Sequence, residues 1–364
     1  MVGNEILPKL VRVFAVTTLM RRRKMKKIVA LLVCMFLWSC LSTQAGYAKD
    51  EKKADWPKHI SWSSPSGPKW TTAVGFTALI QKYTGVSSSA LGPSGGTMAD
   101  IQSLVSKNAE IAWNSNPSVH EAWIGGGAYK KMGPQKWIRA LSGGYEAFWL
   151  IIARGNSDIK SFKDIKGHRW GGDVMIGSDL TDQTRDGLLK IHGMTKRDYK
   201  SFPITKFAEL VDMMKEGRVD VVAFFAGTPS PYAIELATAM DLTWISLEPE
   251  AAKKVPETLY GHQAGIIRAG SYKGQTKDVI AAAHMTIPIV HEDLHEDVVY
   301  GIMKALFDHP DEMEAIHPSA KDFARKPATL QVTAPYHRGA VRYYKEKGLW
   351  TAELENLQKK ILGQ

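Results

Sequence analysis

The segment Glu209–Tyr232, ELVDMMKEGRVDVVAFFAGTPSPY, carries the pattern on which the fold prediction rests. Four apolar residues within 210–214 recur at helical spacing, and Gly217 is placed to end that helix. The apolar run 219–225 has the length of a strand that is buried on both faces, and small polar residues at 226–229 break it. The segment therefore predicts a helix, a buried strand and a polar loop in succession.

The same order occurs about a hundred residues earlier in the chain. Ile101, Leu104 and Val105 indicate a helix, residues 110–113 a strand, and residues 114–117 a polar break. Two segments with the same order of helix, strand and polar break predict two α/β lobes. In open parallel sheets, ligands bind beyond the carboxyl ends of the strands. We therefore expect the two strand ends to face each other across a cleft.

Strand and helix patterns alternate along the rest of the chain, which is typical of parallel sheets covered by helices. The first strand is predicted at 59–63, and the helix 70–83 follows it with Val74, Leu79 and Ile80 facing inward. We take Phe148–Ile152 and the apolar run 278–290 as crossovers between the lobes. The predicted lobes are 59–147 plus 280–364, and 148–279.

The N-terminal segment has the three parts of a secretory signal. Residues 21–27 are basic, residues 28–38 form an apolar core, and small residues follow at 43–48. The core is too short to span a bilayer as a permanent helix. The sequence thus predicts a signal peptide at 1–48, starting at Met1 or Met25, and an exported, periplasmic protein.

Several features near the cleavage point leave alternatives open. Cleavage after Ala45 or after Ala48 satisfies the small-residue rule, and the charged segment 49–58 is predicted to be a flexible leader. Cys34 and Cys40 both lie inside the signal, so the exported chain would contain neither a thiol nor a disulfide. Alternatively, the sequence before Cys40 is close to a lipobox, which would leave that cysteine lipid-anchored.

The net charge of +10 is concentrated in the signal. Residues 1–48 carry eight basic residues and one acid, so 39 basic and 36 acidic residues remain and give +3. No basic stripe follows Asp50, and a nucleic-acid-binding protein would keep one. Nucleic acid is therefore not an expected partner.

Three polar loops precede predicted helices in equivalent places: 93–97, 177–181 and 226–229. Backbone amides and hydroxyl groups at a helix N-terminus can hold a carboxylate. Serine and threonine also cap helices without binding a ligand, so each loop taken singly has a structural explanation. Because they occupy matching positions, we interpret them as the walls of an anion site.

The sequence His291–His295 matches the zinc-protease motif H-E-x-x-H. That motif needs both histidines on one face of a continuous helix. Pro288 lies upstream, and residues 293–296 form a capping pattern that would start the helix near His295, leaving His291 outside it. An exported metal-dependent hydrolase is kept as the alternative function, but the prediction is a non-enzymatic protein without metal or cofactor.

From about Ile60 to Trp350 the chain resembles the extracytoplasmic solute-binding proteins of the TAXI group, the receptors of certain TRAP (tripartite, ATP-independent periplasmic) transporters. The segments that carry the resemblance are Pro93–Leu104, Ile159–Gly167, Ala226–Pro231, Val299–Tyr300 and His337–Tyr344. The resemblance implies a type II periplasmic-binding fold that closes on a small organic anion, often glutamate or another dicarboxylate. It also implies delivery to a membrane permease; a sensory ligand-binding subunit is a further alternative.

The chain departs from the family pattern at two loops. Residues 65–72 lack the tyrosines usual after the first strand, and residues 174–181 contain Asp179, which would repel an anion unless it points away or meets a cation. Lys69 or Arg185 could supply a counter-charge, although solvated surface positions are the more ordinary explanation for both.

We expect a monomeric receptor in which preorganised amides and hydroxyl groups hold the ligand. Trp70 is open to either a core or a pocket-wall role. The predicted ligand-binding residues are Ser66, Gly67, Trp70, Ser94, Gly95, Asn114, Asn116, Ser178, Thr181, Gly227 and Thr228.

Overall fold

The structure, a computed structural model, describes residues 56–65, 67–176 and 178–363. The predicted signal peptide, both cysteines and most of the predicted leader lie outside these residues, as do Ser66 and Gly177. Within the described ranges, no helix combines the length and apolarity that crossing a bilayer requires.

The described chain alternates strands and helices. The strands are β1 (His59–Ser63), β2 (Ser87–Ala90), β3 (Ile111–Ser115), β4 (Ile138–Ala140), β5 (Glu146–Arg154), β6 (Arg169–Met175), β7 (Lys200–Ile204), β8 (Val221–Ala226), β9 (Leu242–Trp244), β10 (His262–Ile267) and β11 (Val279–His291). The helices are α1 (Pro68–Thr84), α2 (Thr97–Val105), α3 (Asn116–Ile124), α4 (Asp179–His192), α5 (Ala208–Lys215), α6 (Pro231–Ala239), α7 (Pro249–Thr258), α8 (Glu296–Phe307), α9 (Pro310–Ile316), α10 (Lys321–Ala324), α11 (Arg338–Glu346) and α12 (Ala352–Leu362).

The strands lie in the order β2-β1-β3-β11-β5-β8-β6-β7, with β4 and β10 also on β11 and β9 on β5. Strand β11 is shared: its residues 279–285 pair with β10 and β5, and its residues 286–291 pair with β3 and β4. β1–β3 and β6–β8 are parallel within each group, as helical crossovers require. This topology confirms the expected α/β, type II fold class.

Buried apolar side chains form three clusters. One draws on residues 60–147 and 287–354, around β1, β3 and the second half of β11. The other two cover opposite faces of β5 and β8 and draw on residues 148–283 and 149–282. Strand β8 supplies both of them, because Val222 and Phe224 face one cluster while Val221 and Ala223 face the other.

The structure confirms several predicted elements at their individual residues. The predicted strand 59–63 has the predicted bounds, and the helix expected to start near His295 runs from Glu296 to Phe307 with His295 as its N-cap. Helix α5 ends before Gly217, which has φ of 70°.

Other predictions are wrong. Val74, which is predicted to face inward, is 43% exposed, because α1 buries a neighbouring stripe of residues and leaves it outside. Asn114 and Ser115 do not break the strand; they belong to β3 and are buried, because β11 supplies their backbone partners at Ile287 and Thr286.

Gly172 in β6 is the position where we expect a side chain to be least tolerated. It has φ of 78°, and a Cβ there would press on the Ala223 carbonyl oxygen and lie 3.0 Å from Leu210. Gly172→Ala should lower the free energy of unfolding by about 2 kcal/mol or more, because left-handed backbone strain and a backbone clash add. Thermal unfolding followed by circular dichroism measures the loss.

Gly193→Ala is the matched control, because Gly193 has φ of 68° at the end of α4 but open space where its Cβ would stand. It carries the strain without the clash. Equal losses in the two variants would contradict the assignment of a packing constraint to Gly172.

Candidate functional site

The segment that leads into β5 lies against β11 at Tyr145 and Thr286. We call this contact the crossing, and hydrogen bonds hold it together. Thr286 donates its N–H to the Tyr145 carbonyl at 3.0 Å, and its hydroxyl both donates to that carbonyl at 2.9 Å and accepts the Tyr145 N–H at 3.0 Å. A Cβ on Gly144 would lie 2.6 Å from the Thr286 carbonyl oxygen and 2.7 Å from the Trp113 ring. Only glycine permits this approach.

Two of the three predicted anion loops meet around this crossing. Thr97, the first residue of α2, donates its hydroxyl to the Asp179 carboxylate at 3.3 Å, and Asp179 is the first residue of α4. The Asn114 side-chain amide donates to the Thr97 carbonyl at 3.0 Å. The N-termini of α2 and α4 therefore face each other, with the end of β3 beside them.

Asp179 does not point away from this junction, as an anion site would have required in the absence of a cationic partner. Burial raises the pKa of its carboxyl group, and the Thr97 hydroxyl and nearby backbone amides act in the opposite direction. Gln183 also donates to the carboxylate at 3.3 Å. The Asp179 carboxylate is itself the anion at the two helix N-termini.

Lys69, in the first turn of α1, is partly exposed, and neighbouring protein atoms desolvate its ammonium group. None of the residues that the structure describes hydrogen-bonds its ammonium group or lies within ion-pair distance of it. Burial lowers the pKa of the ammonium to about 8, partly offset by the charge of Asp100. Its charge also acts on His284 of β11.

Asp100 lies on the buried face of α2 and is 0% exposed. Its carboxylate accepts the hydroxyl of Ser63, at the end of β1, at 2.7 Å. Burial raises the pKa of this carboxyl group to about 6, while hydrogen bonds from Ser63 and Ser94 and the charge of Lys69 oppose the rise. The predicted site residue Ser94 is therefore part of the support for Asp100.

Two histidines stand opposite each other on β10 and β11, at the same end of the sheet. The His262 ring contacts the Thr184 hydroxyl at 2.9 Å and the Tyr260 carbonyl at 3.4 Å. His284 is 1% exposed, and its Nδ1 has no hydrogen-bond partner among the described residues. Burial lowers the pKa of both rings, that of His262 to about 4, so both are neutral near pH 7.

Arg185 is not available as a counter-charge. It is 2% exposed, and its guanidinium group binds the carboxylates of Asp182 at 2.7 Å and Asp186 at 2.8 Å and the carbonyl of Asp173 at 3.1 Å. These contacts fasten α4 to β6. Its charge is neutralised within the protein.

The third predicted loop approaches the crossing from the end of β8. A Cβ on Gly227, which is buried, would lie 3.2 Å from the Ser319 hydroxyl and 3.4 Å from the Tyr145 ring. Thr228 follows at an intermediate exposure. In the second loop, Ser178 caps α4 by accepting the Thr181 N–H at 3.4 Å and its hydroxyl at 3.1 Å.

The remaining predicted site residues do not join this group. Gly67 and Gly95 are exposed, and Trp70 donates its indole N–H to the Leu91 carbonyl at 2.8 Å, which fastens α1 to the loop after β2. The Asn116 side chain is directed to the carbonyl of Gln331 in the C-terminal segment.

The zinc-like motif is divided between two elements. His291 ends β11 and stacks on Trp137 with ring centroids 4.6 Å apart, whereas His295 is the N-cap of α8. The described residues contain no group of three metal-ligating side chains.

Sequence reasoning included Thr97 in a site loop but missed Asp100, Tyr145 and His284 as members of the site. Two of them left a signal: Asp100 shares the apolar face of α2 with Ile101 and Leu104, and His284 interrupts the longest apolar strand. A polar residue at a core position of an otherwise apolar face is an informative exception.

Several solved structures match most of the chain at low similarity. The periplasmic aliphatic sulphonate binding protein of Escherichia coli is 13% identical, with 83% of this chain and 92% of that chain covered and a TM-score of 0.43. A Xanthomonas citri protein bound to chloride ion is 11% identical, with 84% and 100% covered and a TM-score of 0.44. The second substrate binding domain of Lactococcus lactis GlnP, in an open conformation, is 13% identical, with 72% and 95% covered and a TM-score of 0.38.

These structural likenesses are too distant to transfer a ligand. The family match is of a different kind, because the model of the NMT1-like family matches residues 64–348, well over half of the chain. The chain belongs to the NMT1-like family.

Proposed function

We propose that this protein is an extracytoplasmic solute-binding receptor that holds a small organic anion between two lobes and releases it unchanged. The observation that carries the proposal is the ammonium group of Lys69, a partly exposed residue whose charge is desolvated by the protein and has no hydrogen-bond partner among the described residues. A buried charge is costly unless something pairs with it. A carboxylate ligand would supply the missing partner.

The residues around Lys69 do not supply a carboxylate that forms an ion pair with its ammonium group, so a ligand can do so. Asp100 is buried and accepts a 2.7 Å hydrogen bond from Ser63, and its charge acts on the ammonium of Lys69 without an ion-pair contact. Burial, and then the charges of His262 and Lys69, lower the pKa of His284, so its ring is uncharged. Lys69 is therefore the one group in this cluster that attracts an anion.

In this proposal, the first lobe consists of residues 59–147 and 280–364, and the second lobe consists of residues 148–279. The three apolar clusters support this division except at residues 280–283. One cluster lies within the first lobe, whereas the other two draw on the second lobe together with residues 280–283. The Thr97–Asp179 hydrogen bond and the stacking of His120 on Tyr260, at 3.5 Å between ring centroids, are contacts that opening of the lobes would break.

The predicted residues that we retain as lining the site come from both lobes. They are Ser94, Asn114, Ser178, Thr181, Gly227 and Thr228, to which the geometry adds Lys69, Thr97, Tyr145 and His284.

The transport assignment rests on the resemblance to TAXI-group receptors and on the signal at residues 1–48. We propose a monomeric periplasmic protein that delivers a glutamate-like or other carboxylate to a TRAP-type permease. The hydrolase alternative lacks comparable support, because His291 and His295 belong to different elements. No feature specifically favours a sensory subunit.

A panel of amino acids, monocarboxylates and dicarboxylates should include a ligand that raises the melting temperature. At about a hundred times its dissociation constant, that ligand should add about 2.7 kcal/mol to the free energy of unfolding.

Lys69→Met removes the charge and keeps the length of the side chain, so it should weaken binding about tenfold to a hundredfold in calorimetric titration.

Lys163→Met is the control, because this lysine is exposed and its loss should leave the affinity unchanged. Equal affinities in the Lys69 variant and the unaltered protein would contradict the role of Lys69. The absence of stabilisation by every compound in the panel would contradict the receptor proposal itself.

The low pKa of Lys69 also predicts a pH dependence. Anion binding needs the protonated ammonium, which is present below a pH of about 8 and is lost as the pH rises through that value. Affinity should therefore fall between pH 7 and pH 9.5, where exposed lysines remain charged. Titrations of Lys69→Met should show no such fall; an equal fall in the variant would assign the effect to another group.

A further inference from the structure

The loop between α7 and β10 reaches from the second lobe to helix α3 of the first lobe. At its tip, the Tyr260 ring stacks on the His120 ring of α3, with ring centroids 3.5 Å apart and ring planes inclined by 26°. Tyr260 is nevertheless 61% exposed, so its ring contributes little to an apolar core. The stacking contact therefore joins the two lobes at the protein surface.

Gly261 brings the backbones of the two lobes together beside this ring contact. Its φ is 78°, and a Cβ there would lie 2.9 Å from the backbone nitrogen of Pro117 and 3.1 Å from the Cα of that residue. Any side chain at this position would have to push the first turn of α3 away. Glycine is required here both by the left-handed backbone and by a neighbour from the other lobe.

Polar side chains extend the contact to the C-terminal segment. The side-chain amide of Gln331 donates to the Oε1 atom of Gln263 in β10 at 2.6 Å. The backbone carbonyl of Gln331 accepts the side-chain amide of Asn116, and the Thr333 hydroxyl donates to the Asn116 carbonyl at 2.7 Å. A continuous chain of hydrogen bonds thus runs from the start of α3, through the C-terminal segment, to the second lobe.

These contacts lie outside the set of residues that we retain as lining the ligand site. They can therefore shift the equilibrium between open and closed lobes without touching a ligand, because any contact made in only one of two conformations favours that conformation. If the closed conformation is the one that holds the ligand, the apparent affinity depends on the fraction of the protein that is closed.

We propose that residues 260–263 form an interlobe latch with residues 116–120 and 331–333, which stabilises the closed arrangement of the lobes without contacting the ligand. This inference rests on the proposed function, because it uses the division into two lobes that open and close. Gly261 permits the close backbone approach, the Tyr260 ring covers one side of it, and Gln331 connects the latch to the C-terminal segment.

Small-angle X-ray scattering of the protein without added ligand tests the latch, because the radius of gyration increases when the lobes separate. Gly261→Ala places a methyl group against Pro117, so we expect a larger radius of gyration than in the unaltered protein. The double variant Tyr260→Ala, Gln331→Ala removes the ring contact and the hydrogen bond to Gln263. It should produce an increase of the same kind without a steric clash.

Gly270→Ala is the matched control, because Gly270 has φ of 79° between β10 and β11 but open space where its Cβ would stand. It carries the left-handed strain without an interlobe clash, so it should lower the melting temperature and leave the radius of gyration unchanged. An equal increase in this control, or no increase in the double variant while its circular dichroism shows a folded protein, would overturn the latch. The double variant decides the question if Gly261→Ala does not fold.

The panel of carboxylates and amino acids separates the latch from the receptor proposal. A compound of the panel that stabilises the unaltered protein should bind the double variant about twofold to tenfold more weakly, mainly through faster dissociation. Equal affinity would overturn a latch that favours the closed conformation. If no compound of the panel binds, the receptor proposal is contradicted, and the scattering experiment alone decides whether the latch holds the lobes together.

Discussion

The backbone of β11 hydrogen-bonds with β10 and β5 over its first half and with β3 and β4 over its second half. Every buried backbone group of this strand must be satisfied on both sides, so its register holds the two strand groups in a fixed relation. The antiparallel entry of β5 beside it creates the crossing at Tyr145 and Thr286. The polar ends of β1, β3, β6 and β8 are brought to that crossing as a consequence.

Around the crossing, the protein keeps polar groups desolvated and incompletely paired. Asp100 is satisfied in part by Ser63, but the ammonium group of Lys69 and the Nδ1 atom of His284 have no partner among the described side chains. Such groups reduce the stability of the free protein and make binding of a complementary molecule more favourable. Retaining them is physically reasonable if the protein spends part of its time with a ligand.

Helix α4 shows how charges that look equivalent in sequence acquire different roles. Arg185 is neutralised by Asp182 and Asp186 and fastens the helix to β6, so it has no charge to offer a ligand. Asp179, at the start of the same helix, lies against Thr97 of α2. The sequence suggested an anion-binding helix N-terminus there, and the protein's own carboxylate occupies it. The proximity of α2, which decides this, cannot be read from either helix alone.

The sequence by itself determined the alternation of strands and helices, the α/β class and the places of the three polar loops, because hydrophobic periodicity and glycine positions act within a few residues of the chain. It did not reveal α7, β10 or α12, although α7 and α12 are amphipathic helices. Tertiary structure alone decided that the ammonium group of Lys69 is desolvated while Gly67 is exposed, and that the His262 ring has hydrogen-bond partners while the Nδ1 atom of His284 has none among the described residues. Burial and pairing depend on residues far apart in the sequence, which come together only when β11 joins the two strand groups.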